Sequence, residues 1–202
     1  MSLLEQFRFL DPGPLVDGEL ELVMPEERWI DPLMATLAHP LTRQLTPRDS
    51  ELTREQLVKF VREFPLGRQQ GDAEKGWVPA YHYWMRLRPV PGFDPPVTIV
   101  GGLNLRVGHT ENLEMYLGHI GYGVYPPARG RHLAARAVRL LQPLARRSGI
   151  NPLWITCNPD NVASRRTCEL AGGTLVDTVP LPAEHPLYHR GERTKCRYRF
   201  DL

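Results

Sequence analysis

The sequence predicts an α/β (α+β) protein: a mixed, mostly antiparallel sheet of six or seven strands flanked by helices. Residues 79–125 hold three strand-like stretches divided by turns, the pattern of strands meeting in hairpins. Beyond residue 129, helical and strand patterns alternate. The 202 residues are 42% hydrophobic and 24% charged, enough to bury a core without staples, so one domain over 1–202 is expected.

Residues 19–24 alternate and read as a first strand. From Pro25 to Phe64 the period turns helical. Trp29, Leu33, Leu37 and Leu41 recur every four residues, and Pro40 limits the first helix. Ser50 reads as an N-cap, followed by an apolar face of Leu57, Phe60, Val61 and Phe64. Residues 65–77 read as a polar loop. Strands follow at 79–89, at 97–107 with a double glycine that suggests a bulge, and at 117–125. Residues 130–148 form the clearest helix. Leu133, Ala137, Val138, Leu141 and Leu144 share one face, Arg136, Arg139 and Arg146 another, and Pro143 predicts a kink or a split. A short buried strand at 153–157 precedes a helix at 161–171, capped by Asn158, Asp160 or Asn161 and closed by Gly172 and Gly173. Strands at 174–179 and 194–200, joined by a loop, complete the chain.

No apolar run approaches the ~18 residues of a membrane helix, and Glu5 and Arg8 break the amino-terminal apolar stretch, so neither a membrane span nor a signal peptide is expected. Three cysteines without a CxxC suggest a reduced, cytoplasmic setting. Residues 1–128 carry 12 Lys/Arg and 17 Asp/Glu; residues 129–202 carry 13 and 6. The basic second part should attract an anion such as a phosphorylated cofactor.

The segment from Gly121 through Leu141 is strand, tight turn, then helix, and a helix N-terminus with its unpaired N–H groups suits a pyrophosphate. Val124-Tyr125-Pro126 followed by Arg129-Gly130-Arg131-His132-Leu133-Ala134 resembles the acetyl-CoA-binding motif of the GNAT superfamily of N-acetyltransferases, with His132 where that motif has its first glycine. Asn161, Ser164, Cys168, Glu169 and Gly172 resemble the family's second motif at matching spacing, with Cys168 in place of a tyrosine. The stretch Gly118–Tyr122 is similar to an uncharacterised bacterial branch of predicted acetyltransferases.

The resemblance implies that the strands at 117–125 and 153–157 are parallel neighbours that splay apart, with acetyl-CoA between them as co-substrate. Pantetheine would bond to backbone near Tyr122–Val124, and pyrophosphate would lie over the N–H groups of Arg131, His132, Leu133 and Ala134, flanked by Arg129 and Gly130. Asn161 and Ser164 would bond the pantetheine. His132 is expected to present its N–H in a helical conformation. The acceptor is expected to be a primary amine, held by 26–64, 65–77 and 180–193. Such an amine, with a pKa of ~10.4, must lose a proton before it attacks the thioester. His119 is the best-placed base. Cys168 or Tyr122 would assist the leaving thiolate. The alternative is a catalytically inactive CoA-binding sensor or partner-binding module. Solvated arginines are the plainer reading of the helix 130–148 face, so no nucleic acid partner is expected. His185, His189 and Cys196 offer zinc-ligand types without zinc-site spacing, so no metal is expected. A homodimer is left open.

Overall fold

The hairpin-like strands of the first half pair in sequence order. In a computed structural model, which describes residues 9–67, 71–72 and 76–202, β1 (Val16–Asp17), β2 (Leu20–Val23), β3 (Ala80–Leu87), β4 (Ile99–Arg106) and β5 (Ile120–Val124) form one antiparallel sheet in the order β1-β2-β3-β4-β5. Residues 1–8, the Phe64 side chain and most of the loop at 68–75 lie outside the described residues. A second antiparallel sheet, ordered β6-β8-β7, holds β6 (Leu153–Cys157), β7 (Thr174–Pro180) and β8 (Thr194–Phe200). The α/β class and the mainly antiparallel pairing are as expected, but the expected single sheet of six or seven strands is corrected to eight strands in two sheets, because β1 (Val16–Asp17) adds a strand and no ladder joins β5 to β6 among the described residues.

Alternation decides which side of the first sheet meets which helix. Tyr81, Tyr83, Met85, Leu103 and Leu105 turn toward α5 (Leu133–Arg147), whose Leu133, Ala137, Val138, Leu141 and Leu144 are buried against them. The aromatics of β3 are therefore packing residues. Trp84 and Ile99 face the other way, onto α1 (Ile30–Ala38) and α4 (Arg54–Gly67) through Ile30, Leu33, Leu37, Leu57 and Val61. Pro40 starts a separate helix, α2 (Pro40–Leu45), as its fixed φ suits the first helical position, and α3 (Pro47–Ser50) follows. Leu41 consequently leaves the four-residue stripe and is 42% exposed.

Several local expectations are corrected. Ser50 closes α3 rather than capping α4. The cap is Thr53, whose Oγ1 accepts the Gln56 N–H at 3.2 Å while Gln56 Oε1 accepts the Thr53 N–H at 2.8 Å. This is a reciprocal capping box, written in the sequence as Thr-x-x-Gln. Pro143 lies inside α5, which runs unbroken to Arg147. Arg136 is not on a solvated face: it donates to Asp17 and Glu19. The expected bulge is present at Val100, next to Gly101. The stretch expected to begin β5 at 117 instead holds a π-helical turn, Leu113–Leu117. Asn161 caps α6 (Val162–Leu170). At its other end the Gly173 N–H reaches Cys168 O at 2.9 Å and the Gly172 N–H reaches Glu169 O at 3.0 Å, with Gly172 at φ 97°. That is a Schellman closure, and it requires the left-handed glycine.

The two sheets share one apolar core and are joined at their backbones by His119. The His119 N–H donates to Trp154 O at 2.6 Å, and His119 Nδ1 accepts the Trp154 N–H at 2.9 Å. Trp154, the second residue of β6, lies next to the start of β5, while Asn161 and Ser164, beyond the far end of β6, line the same cleft as Val124 at the far end of β5. The strands therefore run the same way and part as they go. The helix α5 between them makes the crossover a strand–helix–strand unit.

His132 is the one non-glycine residue with positive φ among those described, at φ 55° and ψ 25°. The expected helical conformation is replaced by a left-handed one, because the chain must turn sharply from Arg131 into α5. His132→Gly should relieve this strain and stabilise the fold by about 0.5–1 kcal/mol, the left-handed penalty less the entropy cost of glycine; urea unfolding checks it. Gly118 has φ 70°, and a Cβ there would lie 2.9 Å from Thr156 N and 3.1 Å from Ile155 Cα. Gly118→Ala should cost about 2–4 kcal/mol from backbone strain and overpacking together, read in the same unfolding experiment.

Candidate acetyl-CoA and acceptor site

Strand β5 ends the first sheet, so past His119 its outer backbone edge faces no ladder partner among the described residues. A cleft of about 530 Å³ opens there. Its walls hold Tyr122, Val124, Arg129, Gly130, Arg131, His132, Leu133, Ala134, Asn161 and Ser164. Two segments more than twenty-five residues apart in sequence are thus brought to one cavity. His119 and Cys168 are not among its lining residues.

The N-terminus of α5 forms one end of the cleft. Its N-cap, His132, makes no side-chain cap bond, so the first-turn N–H groups stay open and point their partial positive charge into the cavity. Arg129 reaches back to Val124 O through Nε at 2.9 Å. Arg131 is less free than its position in the sequence suggested. It donates to Glu19 at 2.9 Å and stacks on Phe93, its Cζ 4.3 Å from the ring centre. Glu19 also accepts from Arg136 at 2.9 Å, and that hydrogen bond above all holds the carboxyl down to about 2. Much of the positive excess of residues 129–202 is therefore internally matched, and Arg129 remains exposed at the cleft.

Helix α6 forms the opposite wall. Asn161 Oδ1 caps it by accepting the Ser164 N–H at 3.0 Å. Ser164 Oγ lies 2.9 Å from Tyr122 Oη, which also donates toward Ser164 O at 3.2 Å and lies 3.7 Å from Cys168 Sγ. Burial, foremost, pushes the Tyr122 phenol above its usual range, so it stays protonated. Cys168 itself is fully buried behind this hydroxyl. Ala163, Arg166 and Thr167 complete the wall. Sequence reasoning missed them, although helical spacing from Ser164 puts Ala163 and Thr167 one turn apart on one face.

His119 is not built to take a proton. Nδ1 accepts the Trp154 N–H, so the proton sits on Nε2, which donates to Gly108 O at 3.1 Å. Both nitrogens are committed to backbone, and burial lowers the imidazole below its ordinary value. The expectation of a base at this position is corrected on that ground. His119 also forms, with His109 and Glu114, the one group of three metal-ligand types found close together among the described residues. The tautomer leaves no lone pair on His119 Nε2 for a cation. His185 instead meets Asn112 Oδ1 at 2.9 Å, and Cys196 meets Thr178 Oγ1 at 3.5 Å.

A second cavity of about 350 Å³ lies over the first sheet. Gly102 and Gly121 leave its floor without side chains, and Pro25, Phe60, His82, Trp84 and Asn104 are among the residues around it. Asn104 Oδ1 accepts the Gly121 N–H at 3.1 Å. Tyr122 borders both cavities. Of the segments expected to hold an acceptor, 26–64 contributes here, and 180–193 does not.

No helix among the described residues is long and apolar enough to cross a membrane. Residues 19–174 match the sequence profile of the acetyltransferase (GNAT) domain. No curated protein matches the chain. The microcin C7 self-immunity acetyltransferase MccE, solved with acetyl-CoA and AMP, superposes with a TM-score of 0.65 at 16% identity, covering 93% of this chain and 94% of that one. RimL, a ribosomal L7/L12 alpha-N-protein acetyltransferase solved with coenzyme A, gives 0.62 at 19% identity, covering 93% and 96%. An acetyl transferase from Salmonella typhimurium that modifies the N-terminal serine of ribosomal protein L7/L12 gives 0.60 at 19%, covering 94% and 98%. These similarities share the fold with the present chain. With three quarters of its length matched by the family profile, the protein belongs to the GNAT family of acetyltransferases and takes acetyl-CoA as its co-substrate.

Proposed function

We propose that the protein is a cytoplasmic N-acetyltransferase that moves the acetyl group of acetyl-CoA to a primary amine, with the donor in the β5–β6 cleft and the acceptor over the glycine floor of the second cavity. The observation that carries this reading is the position of Tyr122, which borders both cavities. Pantetheine would lie along the open edge of Tyr122–Val124, with Asn161 and Ser164 opposite. Pyrophosphate would sit over the N–H groups of Arg131 to Ala134, with Arg129 beside it. Gly130, at φ 82°, lets the chain turn beneath that anion.

The amine nitrogen attacks the thioester carbonyl, the tetrahedral intermediate collapses, and the C–S bond breaks. The nitrogen loses one proton and the sulfur gains one. Tyr122, kept protonated by burial, would hydrogen-bond the departing sulfur and hold charge there without ionising. Cys168, fully buried behind it, would support the hydroxyl. With His119 committed to backbone, deprotonation of the amine falls to water entering the acceptor cavity.

The test is thiol release from acetyl-CoA over an amine panel that starts with peptide N-termini, the acceptor type of two similar structures. Tyr122→Phe should lower kcat about 100-fold at nearly unchanged acetyl-CoA affinity, the scale of a lost hydrogen-bond donor to developing charge. Asn104→Leu should raise the acceptor KM and leave the acetyl-CoA KM alone. Tight CoA binding without turnover on any amine would contradict transfer and favour a CoA-binding sensor or partner-binding module. Full activity in Tyr122→Phe would remove the hydroxyl from the mechanism.

A further inference from the structure

The register of the first sheet sets a polar row across the face that carries the second cavity. His82 of β3 is opposite Asn104 of β4, and Asn104 is opposite Gly121 of β5. The next row on that face holds Trp84, Gly102 and Gly123, an indole and two bare backbones. Asn104 is half-buried, and the backbone orients its amide. The Gly121 N–H needs an acceptor, so the atom 3.1 Å from it is Oδ1, and Nδ2 turns away. No described residue accepts from Nδ2, and the atom is not sealed from solvent. Its N–H groups are left to the cavity that Asn104 lines.

Arg106, the next residue on that face of β4, adds a guanidinium. Its Nη1 donates to Leu117 O at 3.3 Å and to Gly118 O at 3.0 Å. A Cβ on Gly121 would lie 2.8 Å from Asn104 Oδ1 and 3.3 Å from Arg106 Nη2, so both side chains lean over this glycine. The free valence here is an N–H donor, and its complement is an oxygen with lone pairs. A second ammonium, as in a polyamine or an aminoglycoside, would need carboxylates in place of its water. No carboxylate lines this cavity among the described residues. Pro25, Phe60 and Trp84 add apolar surface, the last two stacked with ring centres 6.3 Å apart. Gly121 directly precedes Tyr122, where the two cavities meet. An amine that reaches the thioester there carries the substituent of its neighbouring carbon past Gly121 and Asn104.

We infer that the acceptor bears a carbonyl or carboxylate oxygen on the carbon next to its amine-bearing carbon, the α-amino carbonyl unit of a peptide N-terminus or of a free amino acid, and that Asn104 selects it by donating Nδ2–H to that oxygen. This rests on the reading of the second cavity as the acceptor site. Asn104 is then a specificity-determining residue: it distinguishes acceptors by what lies beside the amine and takes no part in the proton transfers.

The experiment measures thiol release from acetyl-CoA with a peptide that begins with alanine, free alanine, isopropylamine and putrescine. The first two supply the oxygen as carbonyl or carboxylate, isopropylamine keeps the branched amine without it, and putrescine offers a second ammonium. The quantity read is kcat/KM for each amine relative to isopropylamine, in the parent and in Asn104 variants, so that the amines' own basicity cancels. Asn104→Leu should lower this ratio about tenfold for the peptide or for alanine, the scale of one lost hydrogen bond in a half-buried site, and the one that falls identifies the source of the oxygen. Asn104→Asp keeps an oxygen for the Gly121 N–H but offers no N–H to the cavity; it should lower the same ratio and raise that of putrescine. Unchanged acetyl-CoA affinity by calorimetry reports that both variants are folded. Ratios that stay the same in both variants, or a parent that prefers putrescine to peptide and alanine alike, would overturn the inference. Thiol release with none of these amines would instead overturn the reading of the protein as an amine acetyltransferase, and the inference with it.

Discussion

The grip of His119 on the Trp154 peptide is the contact on which the cleft depends. The backbone N–H of His119 and its Nδ1 take both polar groups of Trp154, and its carbonyl accepts the Arg106 N–H from β4 at 2.7 Å. One residue thus replaces the first rung of a ladder between β5 and β6. No second rung follows among the described residues, because the strands diverge beyond it. A neutral histidine is required, since a proton on Nδ1 would face the Trp154 N–H. Gly118 makes the close approach possible from the other side, where β6 backbone occupies the space of a Cβ.

Opening the strands has a cost in unsatisfied backbone, which a ligand with its own amides can offset by lying along the β5 edge. The same opening puts the N-terminus of α5 at the end of the cleft. Asp17 at the end of β1 and Glu19 in the turn before β2 hold Arg136 and Arg131, so the first sheet and α5 are joined by charge as well as by their apolar faces. The cleft accordingly combines open N–H groups with exposed Arg129 and Arg166 at its rim.

Most of the architecture was legible because periodicity reports burial directly. The apolar face of α5 and the alternation of β3 follow from it. The two motifs marked eight cleft residues through the spacing of Arg129–Ala134 and of Asn161 and Ser164. What was not legible depends on contacts remote in sequence. Nothing near Arg131 reveals that Glu19 will neutralise it, and nothing near His119 reveals that Trp154 will fix its tautomer. The capping pair Thr53 and Gln56 was present as a pattern but was overshadowed by Ser50. Asn104, a lone amide between leucines in a strand, was a readable signal for the second cavity. His132 shows a general limit: a left-handed residue is set by how the chain must enter the helix, and its side chain does not announce it.

Hydrogen–deuterium exchange of the whole chain with and without CoA tests the central claim most directly, because it reads backbone amides one segment at a time. The account predicts that CoA slows exchange at Tyr122–Val124 and at Arg131–Ala134, and leaves the outer strands β1 and β7 unchanged. Protection confined to another surface, with those two segments unaffected at saturating CoA, would contradict it.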